Sequence, residues 1–422
     1  MRTRLLGGLA VLTAVLTSAV PGRAQGPGLY SGGLSDSGGL PGVPSENVPL
    51  PLGNPGSHGF YGFVEGGYYF QTRTMRDQTI AYRGLVDSTG AVTGLPGTYI
   101  GSGQVALSTS DFGRRSYAPA VNFGIGYKTD DGTSITARFM ALSPVDYNAS
   151  ATLASQYARS RPDLSDTFLT AGVFNFGPEY AGPARKTAFE GSTIFLPFID
   201  ANGNLQLRQQ LGDGLFYGIW NGASTMTITY RQNYQEAEIG ARVPLFQTET
   251  SRIYALGGGR FNWFYEKFAW RTTSYDVNGG TLPSWQAVYT NTLSQRMYGP
   301  YAGVGHDIYL GSRFALSTDL TGALLLNVAK ERAKYKLADN TTSAKQSVNE
   351  LRLVPSAGAN FNLWWYPIQG VQVRMGYSAN TWFNTKNMAE PVGFNLGAID
   401  PGYGNQAFRI IHGVNFGIGL FF

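Results

Sequence analysis

Charged side chains set at alternate positions within otherwise apolar or small-residue stretches are the groups in this chain best suited to chemistry. They are Glu65, Lys128, Arg138, Glu236, Glu238, Arg242, Arg260, Glu266, Asp319, Arg352, Arg374 and Arg409. Both signs occur in similar number. Gathered on one interior face, they either pair with each other or line a water-filled passage whose basic members favour anions. Catalysis has poorer material. A hydrolytic centre needs a histidine held between a nucleophile and an orienting acid. The chain has three histidines: His58, His306 and His412. His58 falls in a Gly/Pro-rich stretch, His412 on an apolar strand face, and His306 near a tight turn, so none suits that role and no enzymatic activity is expected.

Metal and cofactor chemistry is equally thin. There is no cysteine, which excludes disulfides and thiolate metal sites. Asp200, Asn202 and Asn204 have part of a calcium-loop spacing, but Leu205 stands where that loop needs glycine and Leu211 where it needs a bidentate glutamate. Gly257-Gly258-Gly259 lies within a strand pattern with no helix after it, so it is no phosphate cradle. No metal and no cofactor are expected.

The elements that must position the charged residues are strands with two unlike faces, recognised by period-two alternation. The C-terminal segment is clearest. Phe408, Ile410, His412, Val414, Phe416, Ile418, Leu420 and Phe422 share one face, and Arg409, Gly413, Asn415, Gly417 and Gly419 the other, with Ile411 and Phe421 as exceptions. The same alternation runs through Tyr117–Lys128, Ser134–Ala141, Phe314–Val328, Leu351–Leu363 and Val371–Asn380. It is weaker in Phe60–Phe70, Thr225–Val243, Arg252–Tyr265 and Met297–Tyr309. A tilted strand of about ten residues spans a bilayer. A soluble edge strand with so apolar a face would invite aggregation.

Two sets of connections alternate along the chain. Asp130–Thr133, Phe246–Ser251, Leu310–Ser312 and Pro367–Gly370 are short; Thr72–Ser116, Leu142–Ser224, Phe268–Ser294, Lys330–Asn349 and Asn384–Ala407 are long. The expected fold is therefore all-β: an antiparallel up-and-down transmembrane barrel of about ten strands, with short periplasmic turns and long outer loops. A further hairpin near Phe168–Phe176 would make twelve. Aromatic clusters at strand ends (Trp364-Trp365-Tyr366, Trp382-Phe383, Trp263-Phe264 and Tyr68-Tyr69-Phe70) are expected to form the two interfacial girdles.

Composition agrees. Charged residues make up 14%, against about 25% in soluble domains. Glycine (56), tyrosine (25) and phenylalanine (25) are abundant. Arg2 and Arg4 precede the apolar run Leu5–Val20 and the small-residue stretch Pro21-Gly22-Arg23-Ala24, the layout of a signal peptide at 1–24. Residues 25–58, crowded with Gly, Pro and Ser, are expected to form a flexible periplasmic linker, with the barrel over 59–422. The formal charge of +5 falls to roughly +2 without the leader's arginines, and no basic patch suggests nucleic acid.

Gly59-Phe60-Tyr61-Gly62-Phe63-Val64-Glu65-Gly66, the segment Tyr298-Gly299-Pro300-Tyr301-Ala302-Gly303-Val304 with Leu310-Gly311 and Phe314-Ala315-Leu316 after it, and the terminal Phe421-Phe422 carry a resemblance. The chain resembles outer-membrane barrel proteins of planctomycetes and, more distantly, the Legionella-type major outer-membrane protein family. That resemblance implies a pore-forming role and assigns no catalytic residue. Two functions are compatible with the residues. One is a passive outer-membrane pore for small solutes or ions. The other is a closed structural or surface-interaction barrel whose outer loops bind a partner. Either would contact outer-membrane lipid and, through the alternate apolar row Phe416, Ile418, Leu420 and Phe422, the barrel assembly machinery.

Overall fold

A computed structural model describes residues 58–87, 94–114, 117–152, 168–171, 193–199, 205–211, 220–248, 250–274, 281–311, 313–340, 343–368, 370–393 and 406–421. The proposed leader, most of the linker, the calcium-like turn at 200–204 and Phe422 lie outside them. Ten strands form the wall: β1 (Gly59–Gln71), β2 (Tyr117–Lys128), β3 (Ser134–Thr152), β4 (Thr225–Gln247), β5 (Ser251–Thr273), β6 (Gln286–Gly311), β7 (Phe314–Leu337), β8 (Ser343–Ile368), β9 (Val371–Lys386) and β10 (Gln406–Phe421). Each pairs antiparallel with its sequence neighbours. β1 also pairs with β10, from Tyr61 opposite Phe421 to Gln71 opposite Ile411, which closes a ten-stranded barrel. Closure leaves no unpaired strand edge in the band that all ten strands share, whereas β3 beyond Leu142 and β8 before Ser356 are paired on one side only.

Alternation places the side chains as the sequence predicts. Phe408, Val414, Phe416, Ile418 and Leu420 are exposed on the outer face of β10, while Arg409, Ile411 and Asn415 are buried inside. Leu316, Leu320, Leu324, Leu326 and Val328 form the corresponding outer row of β7. Tight turns follow local chemistry. In Asp130-Asp131-Gly132, Gly132 takes φ +84°, a region that costs a side chain but not glycine. The Asp131 carboxylate accepts from the Thr133 N–H and from the Thr133 hydroxyl. The Thr129 hydroxyl also donates to it. Together these hold its pKa below the ordinary carboxylate range.

Three connections are shorter than the alternation implies, because the strands run on. β3 continues to Thr152, β5 and β6 extend to Thr273 and back from Gln286, and β7 and β8 are joined through 338–342. The physical reason is visible in β7. Beyond Val328 the outer face turns polar (Lys330, Arg332, Lys334), so two-faced apolar patterning stops. The inner face keeps Ala329, Ala333, Tyr335 and Leu337 buried, and the strand persists. β6 and β8 reach 26 residues each. That is about 85 Å of extended chain, far more than an apolar band about 25 Å tall requires.

The further hairpin that would have made twelve strands is not part of the ten-stranded wall among the described residues. Leu169–Ala171 belongs instead to a small sheet with Thr79–Arg83, Val105–Ser108 and Asn221–Ala223, and 172–176 lies outside the described residues. This sheet caps the barrel mouth. Ile80, Ala81, Leu107, Leu169 and Trp220 pack on the inward-facing Tyr147, Met226, Phe268, Trp270, Tyr289 and Tyr335. The aromatic clusters also need correction as girdles. Consecutive residues on a strand face opposite ways, so each cluster divides: Tyr68, Trp365 and Phe383 are exposed, whereas Tyr69, Tyr366, Phe264 and Trp382 are buried inside.

Candidate functional site

The interior is built in layers, and β5 gives their order from the tight-turn end: Arg252 and Tyr254, then Arg260, then Asn262 and Phe264, then Glu266, then Phe268 and Trp270. All of these are buried. The lowest layer holds Tyr309, Ala315 and Tyr366, with Trp364 against them.

Above it lies a polar chamber of about 160 Å³, smaller than the roughly 300–1,000 Å³ of typical ligand sites. Glu65, Arg138, Glu238, Arg242, Arg260, Asp319 and Arg374 line it. Strand register sets the pairing. Glu238 on β4 stands opposite both Arg138 on β3 and Arg260 on β5, making a plus-minus-plus row across three strands. Arg138 donates to Glu236 at 2.8 Å and Glu238 at 3.1 Å, and Arg260 to Glu238 at 2.8 Å. Arg242 donates to Asp307 at 3.1 Å and Asp319 at 3.0 Å, with its guanidinium 4.3 Å from the Tyr254 ring. Arg374 pairs with Glu65, which also accepts from Asn122 at 2.7 Å. The Tyr301 ring lies 4.8 Å from the Arg260 guanidinium. The Tyr301 hydroxyl fills the space beside Gly240 where any Cβ would collide, which is why that inner position is glycine. Lys128 is fully buried near the turn end. Each of these chamber arginines faces at least one carboxylate, so none is a bare cation for a passing anion.

The next layer is apolar and reaches across the lumen. Tyr69, Tyr234, Phe264, Met297, Leu325, Val354, Trp382 and Ile411 form one buried cluster. Trp382 on β9 and Tyr234 on β4 are five strands apart in a ring of ten, on opposite walls, yet their rings approach to 5.5 Å. The Trp382 indole also touches the Phe264 ring at 5.0 Å and donates to Asn262 Oδ1 at 3.1 Å.

A second charged layer follows. Arg409 on β10 and Glu266 on β5 are again diametrically opposed and form a bidentate pair at 2.7 and 2.8 Å. Glu266 accepts further from the Tyr230 hydroxyl at 2.7 Å and from Gln232 at 3.2 Å. Arg409 also donates to the Lys386 carbonyl at 2.8 Å. Lys386 reaches Glu331 at 3.3 Å and Glu350 at 2.6 Å, and Glu350 accepts from Arg352 at 2.6 Å. Gln295 and Asn291 pin the chain after β9 by donating to the carbonyls of Lys386 and Pro391 at 3.1 Å each. Gln78 donates to the Val392 carbonyl at 2.6 Å.

All twelve charged residues singled out in the sequence therefore sit on the inner face. What parity misses is the completion of the network. Asp307 had the right parity beside His306 and was available from it. Glu350 shares the parity of Arg352 and stands one residue before the alternation that starts at Leu351, so it too was available, whereas Glu331 and Lys386 fall in segments taken as loops and had no such signal. Among the histidines, His306 Nε2 lies 2.8 Å from Ser251 Oγ, on the exposed outer face at a tight turn. Asp307, the neighbouring acid, points the opposite way to Arg242. His412 meets the Tyr377 hydroxyl at 2.8 Å on the outer face, and His58 meets Asp130 at 2.6 Å.

No known protein-family description and no curated relative matches the chain. Among solved structures, it is similar to the outer membrane protease OmpT from Escherichia coli, at 10% identity over 86% of this chain and 97% of that one, with a TM-score of 0.38. It is also similar to a Pseudomonas aeruginosa FadL homologue, at 11% identity over 91% and 96% of the two chains and a TM-score of 0.26. The P. putida toluene transporter TodX aligns at 9% identity over 88% and 94%, with a TM-score of 0.21. The barrel assignment rests on the strand order and its closure, not on these scores.

Proposed function

We propose that this chain is a sealed barrel of the bacterial outer membrane, with the tight turns in the periplasm and the capped end outside. Its work is then done at its outer surface rather than through an open passage. The observation that carries this reading is the contact of Trp382 and Tyr234 across the full width of the lumen. An ion would have to shed its water to cross such a layer, and hydrophobic constrictions block conduction for that reason. The outer cap adds a second apolar block. Membrane placement is supported by the outward apolar rows, since so much exposed apolar surface in water would drive association. The outer row of Phe416, Ile418 and Leu420 on β10 is then the part of the terminal strand that the assembly machinery would meet during insertion.

Planar-bilayer recording tests this reading. Refolded protein with a β-sheet circular dichroism spectrum should give no unitary conductance steps. Stable steps from the unaltered protein would reject the sealed barrel and restore the passive pore for small solutes or ions.

A further inference from the structure

The outer surface above the apolar band is charged very unevenly. On β7 the outward row runs Leu324, Leu326, Val328 and then Lys330, Arg332, Lys334 and Lys336. Alternate residues of a strand lie about 6.7 Å apart, so the four cations form a ladder about 20 Å long. Lys345 on β8 is directly opposite Lys334. Like charges facing each other across neighbouring strands repel, and among the described residues no acidic side chain forms an ion pair with either. Arg296 on β6 stands opposite Val328, at the foot of the ladder. Elsewhere on the described wall the outer cations are sparser: Arg231 is neutralised by Asp146 at 2.6 and 2.8 Å, with Lys267 opposite it and Arg271 further along β5.

We propose that this ladder binds the phosphorylated headgroup of an outer-leaflet lipid, one carrying at least two phosphates. The inference rests on the membrane reading above. Charge complementarity selects a polyanion, and the repulsion between Lys334 and Lys345 is relieved when a phosphate sits between them. Continuity selects a lipid over a soluble anion. The cations stand directly above Leu324, Leu326 and Val328, so one molecule places its acyl chains on the apolar row and its phosphates on the basic one. Trp263 borders the same junction through its register with Arg296, and its indole donates to Ser294 at 3.0 Å.

The test is equilibrium binding of diphosphoryl lipid A to the refolded full-length protein in neutral detergent. The variant K330Q/R332Q/K334Q/K345Q should bind several-hundredfold more weakly, at about fivefold per cation near an anionic headgroup. The variant K330R/K334R/K345R keeps the charges and should bind within about threefold of the unaltered protein. Dephosphorylated lipid A should bind as weakly as the glutamine variant. Undiminished binding by the glutamine variant, or equal binding of the dephosphorylated lipid, would overturn the proposal. Inorganic pyrophosphate binding as tightly as the lipid would overturn the lipid source. Failure of the membrane reading is separate: it would appear as folded protein that stays in solution without detergent.

Discussion

Replacing Glu266 with glutamine tests whether the barrel is braced across its lumen. Glu266 and Arg409 come from opposite walls, are fully buried, and make two parallel hydrogen bonds at 2.7 and 2.8 Å. Opposite unit charges about 4 Å apart attract by about 4 kcal/mol at an effective dielectric near 20. The larger effect is on the partner left behind. Glu266→Gln keeps the shape and leaves the Arg409 guanidinium buried without its carboxylate, which typically costs about 3–5 kcal/mol. Removing both charges together (Glu266→Met with Arg409→Met) should restore stability to within about 1–2 kcal/mol of the unaltered protein, since a buried pair and a well-packed apolar pair are often nearly equivalent. The assay is reversible urea unfolding in lipid vesicles, with equal slopes required before midpoints are compared. A cost below about 1 kcal/mol for Glu266→Gln would refute the brace. So would a double variant whose loss equals the sum of the two singles, because contacting residues must show coupling.

Leu324→Arg, on the exposed outer row of β7, should lower stability in the same assay by about 2–4 kcal/mol. Ser150→Arg, exposed on β3 opposite Thr227, should change it by no more than about 0.5 kcal/mol. Trp220→Ala should loosen the cap by about 3–5 kcal/mol, because Trp220 is buried edge-on against Trp270 at 4.3 Å. Limited proteolysis should then cut the cap segments while the circular dichroism of the wall is unchanged. The β2–β3 turn should be acid-sensitive. The Asp131 pKa is depressed by hydrogen bonds from Thr129 and Thr133. The carboxylate's stabilisation is therefore present above its unfolded-state pKa and is lost as pH falls through the lower folded value. Amide exchange at Thr133 should quicken in that acid window, and Asp131→Asn should abolish the dependence.

The sequence by itself determined the wall. Period-two alternation is a local property, enforced by the strand's own geometry, so it located all ten strands, their tight turns and the inner face of every charged residue singled out. It even marked Ile411 as an exception to the outer row of β10, and Ile411 proves to be part of the apolar layer inside. Tertiary structure decided everything that depends on what stands across the lumen. Parity says that Trp382 points inward, but only the ten-strand circumference makes its ring reach Tyr234 on the opposite wall. Parity puts Arg260 and Arg374 inside, but whether they serve as bare cations depends on Glu238 and Glu65 arriving from other strands. The strand ends were hidden for a related reason. Above the lipid band both faces of the wall lose simple apolar contrast, and the inner face stays buried only because the distant segments around Ile80, Leu107 and Trp220 fold back over the mouth. A pattern confined to neighbours in the chain carries no record of such non-local contacts, and those contacts are what support the proposal of a sealed barrel over an open pore.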